Sequence, residues 1–110
     1  MTLDGFWIVK FTAAQVYGSG VVVFSNGKIF GGETGFYYLG TYEAEGRIVK
    51  ARIIVRNFDC ATPNGFGIAG DYEMDVSATL QDDRNANGTA VVSGHPQYNL
   101  GIRLVKKADL

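Results

Sequence analysis

"SNGKIFGGETGFYYLGTYEAEGRI", residues 25–48, sets six glycines among seven aromatic or isoleucine residues. Glycine is poor core filler, and each one weakens a helix interior by about 1 kcal/mol relative to alanine. The stretch therefore does not read as helix. Period-two alternation fits it better. Asn26-Gly27 lies between "VVVF" and "KIF", and both residue types accept the positive φ angles of a two-residue type I′ hairpin turn. Glu45-Gly46 offers a second tight joint. The segment reads as consecutive strands, with Tyr38, Gly40 and Tyr42 sharing one face.

The same pattern runs outward through the chain. Eight short strands are expected, at roughly 4–12, 20–25, 28–33, 36–44, 46–57, 71–81, 88–94 and 99–107. "DYEMDVSATL" is the cleanest: Tyr72, Met74, Val76, Ala78 and Leu80 alternate with Asp71, Glu73, Asp75, Ser77 and Thr79. Val49, Ala51, Ile53 and Val55 alternate with Lys50, Arg52 and Arg56. Paired antiparallel, these two strands place a basic outer row beside an acidic one, and a one-residue slip would bury both. Strand one turns Trp7, Val9 and Phe11 inward and leaves Phe6 and Ile8 outside with Lys10. Strand eight points Leu100, Ile102 and Leu104 in and Arg103 out. Asn87-Gly88 is expected at a polar corner, and His95 in the turn "SGHPQYN".

Eight sequential strands with short joints suit an all-β up-and-down antiparallel meander. Closure into a barrel removes the two unpaired edges of an open sheet; a two-sheet sandwich is the alternative. An eight-stranded barrel has a lumen that side chains fill or that holds one small ligand. Trp7, Phe11, Tyr38, Tyr42, Tyr72 and Met74 are the candidate lumen residues. Gly31, Gly32, Gly35 and Gly40 are expected to leave room for rings from across the barrel, or to relieve strand coiling. The longest joint, "FDCATPNGFGIAG" at 58–70, exceeds a tight hairpin. Its Phe58, Phe66 and Ile68 need cover, over a barrel mouth or against a partner.

Composition bounds the function classes. The 110 residues fit one domain spanning 1–110, and 46% apolar with 19% charged residues describes a globular chain. A net charge of −1 gives little attraction for phosphate backbones, so direct nucleic-acid binding is not expected. Cys60 is the single cysteine, which excludes an intrachain disulfide and points to a reducing compartment. "MTLDGFWIVKFTAAQV" carries Asp4 and Lys10 and lacks the form of a secretory signal. No run approaches the ~20 apolar residues of a membrane span. The expectation is a soluble, cytoplasmic protein without membrane attachment.

Catalytic chemistry is sparse. His95 and Cys60 are single residues without an ordered set of nucleophile, base and orienting acid. Two such residues make a poor metal site. Asp82-Asp83 lacks the ligand spacing of a calcium loop. "GFGIAG" at 65–70 spells Gly-x-Gly-x-x-Gly but leads into a strand, where the dinucleotide motif opens a helix. Tyr37, Tyr38 and Tyr42 lack the flanking Lys and Arg of a base-stacking platform. No enzyme, cofactor or metal is expected.

"DGFWIVKF" at 4–11, "GSGVVVFSNGKIFGGETGFYYLGTY" at 18–42 and "VKARIIV" at 49–55 resemble the GrlR family, small bacterial proteins named for negative regulation of type III secretion. The likeness lies in roughly the first 57 residues. It implies a lipocalin-like eight-stranded barrel, usually dimeric, with an apolar interior. It also implies an adaptor that binds a protein partner such as a transcriptional activator. The family's name-giving member carries an acidic run between strands four and five. The matching positions here are Ala44, Glu45, Gly46 and Arg47, with Glu43 adjoining. Phe6, Ile8, Phe58, Phe66, Ile68, Glu43 and Glu45 are thus the candidate interface residues, for a homodimer or a regulatory partner. A small apolar ligand in the lumen is the alternative.

Overall fold

The computed structural model describes residues 3–13, 16–59 and 71–110. Eight strands follow in order: β1 (Gly5–Ala13), β2 (Val16–Ser25), β3 (Lys28–Glu33), β4 (Phe36–Glu45), β5 (Ile48–Asn57), β6 (Tyr72–Asp82), β7 (Asn85–Val92) and β8 (His95–Asp109). Each pairs antiparallel with its sequence neighbour, and β8 returns to β1, giving a closed barrel. No helix occurs among the described residues. The all-β lipocalin-like reading therefore holds, and the sandwich alternative does not.

The turn that anchors the opening stretch behaves as its residues dictate. Asn26 and Gly27 have φ of 49° and 78°, the doubly positive pattern of a type I′ turn. Val22, Phe24 and Ile29 around it are buried. The β5–β6 register sets Arg52 opposite Asp75, and their ion pair measures 3.2 Å. Arg56 pairs with Asp71 at 3.1 Å. Both pairs are solvent-exposed, so each contributes about 0.2–1 kcal/mol. Their larger effect is on register, since slipping β6 by one residue would exchange Asp75 with Met74.

Two joints differ from the sequence reading. Asn87 and Gly88 lie inside β7 rather than at a corner. The β6–β7 turn falls at Asp83-Arg84 instead, because Asp82 supplies its chemistry. The Asp82 carboxylate accepts from the Arg84 amide at 2.8 Å and from Asn85 Nδ2 at 3.0 Å, and these bonds hold its pKa below the usual carboxylate value. Gly88 is needed elsewhere: a Cβ there would strike the Ser77 carbonyl oxygen on β6. His95 opens β8, and the β7–β8 turn is Ser93-Gly94, with Gly94 at φ 78°.

The glycines of the opening stretch divide three ways. Gly31 and Gly40 share the inward parity of Ile29 and Tyr38, Gly32 shares the outward parity of Phe30, and Gly35 is a turn residue with φ 80°. Added Cβ atoms at Gly31 and Gly40 would meet carbonyl oxygens of the paired strands, not rings from across the lumen. Of the two roles expected for these residues, relief of coiling in a tightly closed sheet is the one they perform. Ring accommodation occurs at Gly18, whose missing side chain is replaced by the Phe11 ring of the neighbouring strand.

Candidate functional site

Among the described residues, the barrel has one plugged end and one open end. At the plugged end, Trp7 is fully buried and its Nε1 donates to the Leu3 carbonyl at 3.0 Å. Its ring stacks on Phe24 at 5.6 Å, and Phe24 stacks on Tyr42 at 5.1 Å. Tyr42 donates its hydroxyl to Asp4 Oδ1 at 3.1 Å, and the Asn26 amide donates to the same oxygen at 3.1 Å. Burial together with this bond raises the Tyr42 pKa. Lys106 closes the floor beside them: its ammonium is buried and pairs with Asp109 at 2.6 Å, which lowers the Asp109 pKa.

Above this floor lies a cavity of about 340 Å³. Its walls include Val9, Phe11, Ile53, Met74, Val76 and Ile102, and Tyr38 and Tyr72 reach it from β4 and β6. Four of the six candidate lumen residues, Phe11, Tyr38, Tyr72 and Met74, therefore line it. Trp7 and Tyr42 do not; they form the plug beneath, because indole and phenol each find a polar partner near the N-terminal residues.

One wall residue escaped the sequence reading. Glu33 ends β3 at the open end and faces the cavity. The signal was its parity, since it alternates inward with Ile29 and Gly31. Burial raises its pKa, and hydrogen bonding to the Tyr38 hydroxyl partly offsets the rise. The same proximity pushes the Tyr38 hydroxyl well up, after burial, and Tyr72 is pushed up to about 12 by burial and by the Glu33 charge.

A raised carboxyl pKa means the folded chain keeps a proton that the unfolded chain has released. The stability this contributes is complete below the ordinary value of 4.5 and is lost as pH rises through the raised one. Glu33→Gln mimics the protonated form. Wild type and variant are expected to melt together near pH 4, with the variant melting higher at pH 7. A gap between the two melting curves that does not widen with pH contradicts this assignment.

The outer surface is two-sided. Register carries one apolar row from Phe6 through Val23, Phe30 and Leu39 to Ile54. A parallel row runs from Ile8 through Val21 and Gly32 to Tyr37. Phe30 is 46% exposed and Leu39 39%. Phe58 extends the second row, its ring 6.3 Å from Tyr37. Outward positions of β6–β8 are instead mostly polar, among them Glu73, Asp75, Ser77, Thr79, Asn87, Thr89 and Arg103. Phe6, Ile8 and Phe58 thus fall on one face, as their candidate role requires. Val21, Phe30, Tyr37 and Leu39 join them, and single-strand patterning did not select these. Glu43 and Glu45 are exposed beside the β4–β5 turn, and Glu43 sits opposite Lys50. Arg47 reaches the Leu80 and Gln81 carbonyls at 3.4 and 3.3 Å. Phe66 and Ile68, like Cys60, lie outside the described residues.

No cluster of three or more metal-ligating side chains occurs among the described residues. His95 is exposed, with its ring 5.7 Å from that of Tyr98. The family model described as "T3SS negative regulator, GrlR" matches residues 2–107. The chain belongs to the GrlR family. The match extends well past residue 55, where the quoted motifs end, and takes in β6, β7 and most of β8. No curated protein matches the chain significantly. GrlR is a regulatory family, and the apolar outer face is the surface of this member best suited to contact with another macromolecule.

Proposed function

We propose that this GrlR-family chain is a negative regulator of type III secretion that works without catalysis, in the cytoplasm, by binding protein through the outer face of β1–β5. The observation that carries the reading is the pair of apolar rows that contain Phe30, Leu39 and Tyr37. Large exposed apolar patches on one side of a folded chain mark interaction sites. The first partner is a second copy of the chain, and a transcriptional regulator is the second. Glu43, Glu45 and Lys28 lie toward the margin of this face, where charge governs partner choice more than affinity.

Phe30→Asp combined with Leu39→Asp tests this directly. Both side chains are partly exposed, and the two carboxylates would face each other across β3 and β4, so the fold is expected to survive with a loss of about 1–3 kcal/mol. Sedimentation at tens of micromolar is expected to show a dimer for wild type and a monomer for the variant. A wild-type monomer, or a dimer indifferent to both substitutions, rules out self-association through this face.

A second reading rests on the cavity of about 340 Å³. That volume falls at the lower end of small-molecule sites, and apolar walls with a few polar groups at one end suit a small amphiphilic ligand. Regulation and ligand binding are compatible, since the lumen and the outer face are opposite sides of the same strands.

A further inference from the structure

We infer that the lumen selects an amphiphile with a positively charged head and an apolar tail, its head seated against Glu33 at the open end. This deepens the ligand reading above and rests on it.

The first observation concerns charge. Glu33 is the one charged residue among the described residues lining the cavity, and no Lys, Arg or His lines it. The sequences of 14–15 and 60–70 contain no Lys, Arg or His. Other cations near the open end are directed elsewhere. Arg56 is held by Asp71 at 3.1 Å, and His95 is exposed against Tyr98. A carboxylate-headed ligand would therefore enter a lumen that offers it a like charge and no cation. Burying either charge without a partner is costly.

The second observation is the surroundings of Glu33. Tyr38 and Tyr72 line the cavity with it, and both lie close enough to feel its charge. Tyr17, Phe36 and Phe11 line the same cavity. A protonated amine there gains a charge-assisted hydrogen bond to the carboxylate and aromatic faces for cation–π contact. The tail then lies along Val9, Ile53, Val76 and Ile102, where only apolar groups meet it.

The third is size. At a liquid share of about 30 Å³ per water-sized group, 340 Å³ holds roughly eleven non-hydrogen atoms. Decylammonium and decanol, which differ in the head alone, and decanoate, with one fewer tail carbon, are accordingly suitable probes.

The chain supplies its own reporter. It has two methionines, Met1 and Met74, and Met74 lines the cavity. Titrations of the full chain with each probe, kept below micelle concentrations, are to be followed by calorimetry and by the ¹³C-labelled methionine methyl signals. Decylammonium is expected to shift the Met74 methyl and to bind about tenfold tighter than decanol, the gain of one charge-assisted contact. Decanoate is expected to bind weakest. Glu33→Gln is expected to lower the decylammonium affinity about tenfold, to near that of decanol, and to change the affinity for uncharged decanol by much less. Equal binding of all three probes, or a decylammonium preference that survives Glu33→Gln, overturns the head-group inference and leaves the lumen as a ligand site. Failure of every probe to move the Met74 methyl overturns both.

Discussion

Replacing Trp7 by alanine is expected to cost about 3–5 kcal/mol of folding stability, a large share of the roughly 5–15 kcal/mol that a chain of this size has in reserve. The cost has three sources. The indole is fully buried, so its removal leaves a void under the cavity that the rigid strands around it cannot close. Its stacking on Phe24, and through Phe24 on Tyr42, is lost. The Leu3 carbonyl loses its donor, so the N-terminal segment and Asp4 lose their fixed position over the barrel end. Trp7→Phe separates these terms. It keeps a ring against Phe24 and removes only the donor and part of the volume, so a loss of about 1–3 kcal/mol is expected. Urea denaturation of both variants measures the difference. If the alanine variant loses no more than the phenylalanine variant, Trp7 is not the floor of the lumen.

The second large effect concerns a residue that contributes no side chain. Gly31→Ala is expected to cost at least the 1–3 kcal/mol typical of overpacking, while Gly101→Ala is expected to be neutral or to stabilise by up to about 1 kcal/mol. The chemical change is identical. At Gly31 the new methyl would overlap the Val21 carbonyl oxygen and lie 2.8 Å from Val22 Cα. Backbone of a paired strand cannot rotate away, so the β2–β3 ladder must shift. At Gly101, on the outer face, the nearest group is Thr12 Oγ1 at 3.4 Å, which can turn aside, and alanine restricts the unfolded chain. Equal midpoints for the two variants in parallel urea titrations would mean that the interior glycines are not sites of close strand approach.

How far the sequence reveals this molecule depends on whether a feature is local. The inward and outward sets of β5, β6 and β8 follow from alternation alone, and Asn26-Gly27 announces its own turn. The Asp83-Arg84 turn is hidden because its chemistry comes from the Asp82 side chain, while Gly88, the better turn signal, serves strand approach within β7. The apolar lumen is legible as a face, but its depth is not. Trp7 and Tyr42 share parity with Phe11 and Tyr38 but lie four residues away along β1 and β4, and only the register of the antiparallel strands brings them to one end, where Leu3 and Asp4 accept their hydrogen bonds. Glu33 was overlooked because a charge after two glycines resembles a turn residue, although its parity points inward. The outer apolar face needs the register of five strands at once: Phe30 and Leu39 are nine residues apart in sequence and become neighbours only through β3–β4 pairing.

Repression measured in cells decides whether that face is where the protein acts. In a bacterial strain lacking the chain and carrying a reporter of type III secretion expression, the wild-type chain is expected to restore repression. Phe30→Asp with Leu39→Asp, at equal abundance and with an unchanged Met74 methyl signal, is expected to leave the reporter active. Repression by that double variant as strong as by wild type would contradict the account.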